Sequence, residues 1–216
     1  MGPAPISTAF LLASLLAVVL VELAAAALGA RTPSARLWLI AATRAIQMLA
    51  VLTLAGFQAG GVNALGLGKK DMLAGLRKGL AWSAGFAAVA GLLFLVFFLS
   101  GRNPLPLIRT PLPEAIYHRA LFFFVGGLLA PVAEELVFRG LIFGYLRRWG
   151  LPAAVLISTA LFAAIHPGPA IPVTQIVGGI VFAVAYHTGK SLMTPIVVHT
   201  LGNLAIFTLS LPFFHG

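Results

Sequence analysis

The sequence predicts an all-α, polytopic membrane bundle of about seven transmembrane helices, and three observations predict it. Hydrophobic residues make up 60% of the 216-residue chain and charged residues 9%, against roughly 25% charged in soluble domains. Mean hydropathy is +1.04, and the apolar residues fall into runs close to the ~20 needed to cross a bilayer core. The basic residues that give a formal charge of +9 lie in short clusters between those runs, where membrane-flanking anchors belong. They do not gather on one face and no nucleic-acid-binding motif accompanies them, so the bilayer is the expected partner and nucleic acid is not. Cysteine is absent, which removes disulfides, thiolate ligands and a cysteine nucleophile.

Each predicted element has its own signals. A first span over about residues 6–30 lacks the basic start of a signal peptide and carries Glu22, so it reads as a retained helix. A second, over about 37–57, contains Arg44. Residues 60–79 are glycine-rich and basic and read as a loop leading into a helix start. The third span, about 80–100, stops at Gly101-Arg102-Asn103-Pro104. The fourth, about 115–146, is interrupted by Gly126, Gly127 and Pro131, and the proline is expected to free the Gly127 carbonyl and kink the helix. Spans over about 152–166, 171–186 and 192–211 complete the chain, the first two of them short enough to suggest tight packing or re-entrance. Gly140, Gly144, Gly178 and Gly179 offer small surfaces for helix contact. Residues 1–114 thus form N-terminal transmembrane helices and loops, and 115–216 a core of helices carrying the chemistry, in one integrated membrane domain. Seven basic residues on the N-terminal side against five opposite favour a cytoplasmic N-terminus.

The polar residues of the C-terminal half carry the functional reading. Glu134 and Glu135 are two of only five acidic residues and sit in an apolar run, where an ionisable side chain costs about 2.5–3.5 kcal/mol and marks function. Glu135 and Arg139, four residues apart on one helix face, read chiefly as a structural ion pair, which leaves Glu134 without a partner in its own helix. His199 and Asn203 share a helix face in the same way, and His166 ends the fifth span. At about 1.5 Å per residue from the shared membrane side, Glu134 lies roughly 18 Å deep, His166 21 Å, His199 11 Å and Asn203 17 Å. Three helices therefore bring polar groups to a similar depth. Glu22 and Arg44 are expected to pair between the first two helices, His118, His187 and His215 to lie at the interface, and Phe122-Phe123-Phe124 to face lipid or pack in the core.

Taken together, Glu134-Glu135-Leu-Val-Phe-Arg139, Phe162-Ala-Ala-Ile-His166 and His199-Thr-Leu-Gly-Asn203 resemble the motifs of the CAAX-processing and bacteriocin-processing (CPBP, or Abi) intramembrane proteases. That family includes the eukaryotic Ras-converting endopeptidase, and the resemblance covers about residues 122–207. It implies an endopeptidase that cleaves a membrane-anchored protein or peptide near its C-terminal region. It further implies that Glu134 acts as general base on a water held by His166, that His199 and Asn203 donate to the oxyanion, and that Glu135 and Arg139 support the helix. No cofactor is expected; the alternative is zinc on Glu134, His166 and His199. Localisation would be integral and multi-pass, in the plasma membrane if the host is prokaryotic. A non-catalytic immunity or scaffold protein of the same fold, or a transporter using Glu134 and the histidines as a relay, are the rival readings.

Overall fold

A computed structural model describes residues 5–166 and 172–211; His215 and the start of the predicted sixth span fall outside them. The described residues form seven helical rods and no strand: α1 (Thr8–Leu28), α2 (Pro33–Ala55), α3 (Lys69–Leu99), α4 (Ile116–Trp149), α5 (Leu151–Ala164), α6 (Val173–Gly189) and α7 (Met193–Leu209). The first four are long and apolar enough to cross a bilayer, whereas α5, α6 and α7 have 14, 17 and 17 residues. The protein is an integral, multi-pass membrane protein.

Local sequence sets the helix ends. Ser7 accepts a hydrogen bond from the Phe10 N–H and Thr32 from that of Ala35, so both N-terminal helices open on a side-chain cap, with Pro33 in the first turn of α2. α3 starts eleven residues before the expected 80: Gly68 is its extended cap and the basic run 69–78 is helical, not loop. A 31-residue helix is about 46 Å long, so its first turns reach beyond a 30 Å apolar core and keep the cations near water.

Lipid is as apolar as leucine, so these helices associate through close packing and hydrogen bonds more than through hydrophobic burial. The α3–α7 interface shows this best. A Cβ on Gly79 would lie 2.7 Å from the Val197 Cβ and 2.9 Å from the Thr194 carbonyl, and one on Gly75 would overlap Ser191. Thr194 Oγ1 donates to the Gly75 carbonyl across the same contact. This Gly75–Gly79 pair, not singled out from the sequence, is a tighter small-residue surface than Gly140 and Gly144, which face Leu65 and Ile6 at 3.4 and 3.1 Å. Gly179 packs against Thr159 and brings α6 onto α5.

The central core runs from Ile6 and Val51 through Leu65, Leu141 and Phe143 to Tyr186, Leu192 and Ile196. Glu22 meets Arg44 at 2.9 Å as expected, and Gln47 joins them, accepting from Arg44 and donating to Glu22 and to the Val18 carbonyl. Phe122 and Phe123 pack on Phe207 while Phe124 is exposed.

Candidate active site

The site lies where α4, α5, α6 and α7 converge, and α4 is irregular there. It is π-helical over Val125–Leu129 and again over Leu136–Phe143, with a short α-helical stretch, Ala130–Glu135, between. Wide turns of this kind recur at functional sites. In the first of them the Ala130 N–H donates to the Val125 carbonyl, five residues back. The next donor in that register would be Pro131, which has no N–H. The carbonyl left over is therefore that of Gly126, not Gly127 as a simple α-helical count gives, and Asn203 Nδ2 donates to it at 2.9 Å. Asn203 thereby ties α7 to the break in α4.

One turn further on, the two glutamates diverge. Glu135 is fully buried and its Oε1 receives both Arg139, at 3.0 Å, and His199 Nδ1, at 2.8 Å. The ion pair expected within one helix is thus also a clamp on an imidazole from α7. Arg139, equally buried, donates to the Gly179 carbonyl and lies over the rings of Phe162 and Phe182, at 4.8 and 5.2 Å. Phe182 stacks on His199 with centroids 4.4 Å apart. Sequence reasoning missed Phe182, and it read Gly179 only as a surface for helix contact and not as the carbonyl that holds Arg139; neither an aromatic residue nor a backbone carbonyl carries a motif.

Glu134 turns the other way. Its carboxylate sits 3.8 Å from His199 Nε2 and 4.0 Å from His166 Nε2, with 14% of the side chain exposed. The site opens on the His166 side, where that imidazole is 30% exposed. The predicted Glu134, His166 and His199 therefore meet in one place. The depth count had set His199 too shallow, because it assumed that α7 begins at the membrane surface. Ser191, Leu192 and Thr194 are fully buried and the Leu192 N–H donates to the Gly66 carbonyl, so α7 starts inside the bundle.

Partners assign the ring protons. The Phe162 carbonyl, 2.7 Å from His166 Nδ1, can only accept, and Glu135 beside Arg139 does the same for His199. Each Nδ1 thus carries a proton, and in a neutral ring Nε2 is the acceptor nitrogen facing Glu134. For zinc, Glu134, His166 and His199 are the available donors. Ligands about 2.0–2.2 Å from a tetrahedral ion lie about 3.3 Å from one another; the observed 3.8 and 4.0 Å are wider. No group of three metal-binding side chains close enough to hold an ion occurs among the described residues.

A carboxylate between two imidazoles, inside a bundle of lipid-facing helices, defines the class: a multi-pass membrane protein built around an intramembrane polar site. Residues 116–205, which begin with α4 and include every residue of that site, match the family of Rce1-like type II CAAX prenyl endopeptidases, and this part of the chain is similar to that group of membrane proteases. A relative in Staphylococcus aureus (strain USA300), the membrane-embedded CAAX protease MroQ, is 33% identical over 101 residues, which are 43% of this chain and 41% of the relative. The match thus spans less than half the length of that relative. No solved structure matches the chain.

Proposed function

We propose that the protein is an intramembrane endopeptidase that hydrolyses a peptide bond near the C-terminal region of a membrane-associated protein or peptide, with Glu134 as the base that activates water. The observation that carries this reading is the placement of the Glu134 carboxylate against the Nε2 atoms of both histidines. The family match over residues 116–205 supports it.

The chemistry follows from the hydrogen-bond roles. A water in the corner between Glu134 and His166 meets two acceptors, so both of its protons are engaged and an oxygen lone pair is directed outward, at a substrate carbonyl. Glu134 takes one proton as the C–O bond forms, and returns it to the amide nitrogen as the C–N bond breaks. The tetrahedral oxyanion needs donors. His199 supplies one from Nε2 only when its ring carries a second proton, a charge for which Glu135, already bonded to Nδ1, is the counter-ion. Asn203 uses one N–H on Gly126 and has a second to offer. Donors of this kind are each worth about 2.7–4 kcal/mol.

The test is cleavage of a reporter carrying a membrane-anchored C-terminal tail, by protein in native membranes. Glu134→Gln abolishes cleavage while the protein still inserts and folds, His166→Ala and His199→Ala each reduce it by at least about a hundredfold, and His118→Ala leaves it unchanged. Wild-type turnover by Glu134→Gln would overturn the assignment of Glu134 as the base, whereas no cleavage by the wild type itself would favour the scaffold or relay readings.

A further inference from the structure

At the end of the bundle where α4 and α6 finish and α5 begins, a cavity of about 470 Å³ opens to the surface. None of the site residues lines it. Its wall holds three cations, Arg147, Arg148 and Lys190, with the His187 imidazole, and no carboxylate. Among the described residues every ion pair uses Glu22, Glu134 or Glu135, so neither Arg148 nor Lys190 has an acidic partner.

Cations at helix C-termini complement the helix dipole, and in membrane proteins they reach for the surface. That explains their presence but not the concavity, nor how Arg148 is held. Its Nε donates to the Tyr145 carbonyl, a second nitrogen donates to the Ile6 carbonyl, and its guanidinium lies 3.8 Å over the Tyr145 ring. The charge is thereby fixed in the cavity wall. α5 contributes to the same wall through Leu151, and its N-terminus follows Gly150 (φ 97°) with no side-chain cap, so first-turn N–H groups add positive potential. The rest of the lining, Phe143, Tyr145, Leu151 and Tyr186, is apolar or aromatic. Trp149, 61% exposed beside it, marks the level of the membrane interface.

A ligand for this cavity must be anionic at one end and apolar at the other, and must lie at the interface. We propose that it binds the phosphodiester headgroup of an anionic glycerophospholipid, with the guanidinium of Arg148 and the ammonium of Lys190 on the phosphate and the acyl chains along the aromatic wall. Basic pockets between transmembrane helices suit such headgroups, and the volume lies in the range of small-molecule sites. The bound lipid would tie the ends of α4, α5 and α6 to the N-terminal segment at Pro5 and Ile6. It is independent of peptide hydrolysis, and binding is read without substrate.

The experiment is native mass spectrometry and thermal unfolding of the full chain, delipidated in neutral detergent and then supplied with phosphatidylglycerol or phosphatidylcholine. The expected result is about tenfold tighter retention of phosphatidylglycerol and a raised unfolding temperature with that lipid. Lys190→Gln and Arg148→Gln should each abolish most of the preference, whereas the paired control Lys69→Gln/Lys70→Gln, exposed cations at the same end outside the cavity, should retain it. Arg148 also anchors Ile6, so Lys190→Gln is the decisive variant: the fold uses only its backbone N–H, which donates to the Tyr186 carbonyl. Equal retention of the two lipids, or an unchanged preference in Lys190→Gln, would overturn the proposal. A thermal shift reproduced in full by inorganic phosphate, without lipid preference, would make this a soluble-anion site and overturn the lipid assignment.

Discussion

At the scale of single residues, adjacent glutamates with opposite environments organise the site. Glu134 faces the imidazoles and the opening, and Glu135 is fully buried under Arg139 and His199. Removing one partner of such a buried pair leaves an uncompensated charge and costs about 3–5 kcal/mol. Arg139→Met should therefore lower the unfolding temperature sharply. Arg139→Lys should not rescue it, because a flat guanidinium serves Glu135, the Gly179 carbonyl and the faces of Phe162 and Phe182 together; thermal unfolding in detergent compares the two, and full rescue by lysine would contradict this account. The sequence made Glu135–Arg139 legible because both lie on one helix, where spacing implies contact. It did not reveal that Glu135 also holds His199, or that Phe182 stacks on that ring, because contacts between helices leave no fixed spacing to read.

Among the elements, α4 and α7 are coupled at the break in α4. If Asn203 stands in for the N–H that Pro131 lacks, Asn203→Leu orphans the Gly126 carbonyl, at a cost of about 1–3 kcal/mol. Pro131→Ala restores an N–H at that position, so a double-mutant cycle should show the Asn203→Leu penalty shrinking by about 1 kcal/mol in the Pro131→Ala background. Strict additivity would show that the two groups do not share that carbonyl. Composition and the Pro131 signal made the interruption legible, but not that the helix widens into a π turn, which moves the orphan by one residue. Along the α3–α7 contact, Gly79→Leu should separate the helices and cost about 1–3 kcal/mol, seen as a lower unfolding temperature, whereas Gly85→Leu, where a Cβ meets nothing within 4 Å, should be neutral.

For the whole molecule, seven helices and their order were legible from apolar run length, as was the Glu22–Arg44 pair joining α1 to α2. Depth was less so. Counting along straight helices from a common plane failed for α7, which starts buried at Leu192, and no sequence signal reports how far a helix is sunk into its bundle. The short α5, α6 and α7 fit the same picture, since helices that end inside the protein leave polar side chains within reach of water while longer neighbours face lipid. The central claim is that this arrangement lets the Glu134 carboxylate, rather than a bound metal, activate the attacking water. Its most direct test is the rate of reporter cleavage by purified, chelator-stripped protein in lipid nanodiscs, wild type beside Glu134→Gln. Full activity of the stripped wild type, with a loss of about a thousandfold or more in Glu134→Gln, is the predicted result; activity that vanishes on stripping and returns with zinc, or a Glu134→Gln rate close to wild type, would contradict it.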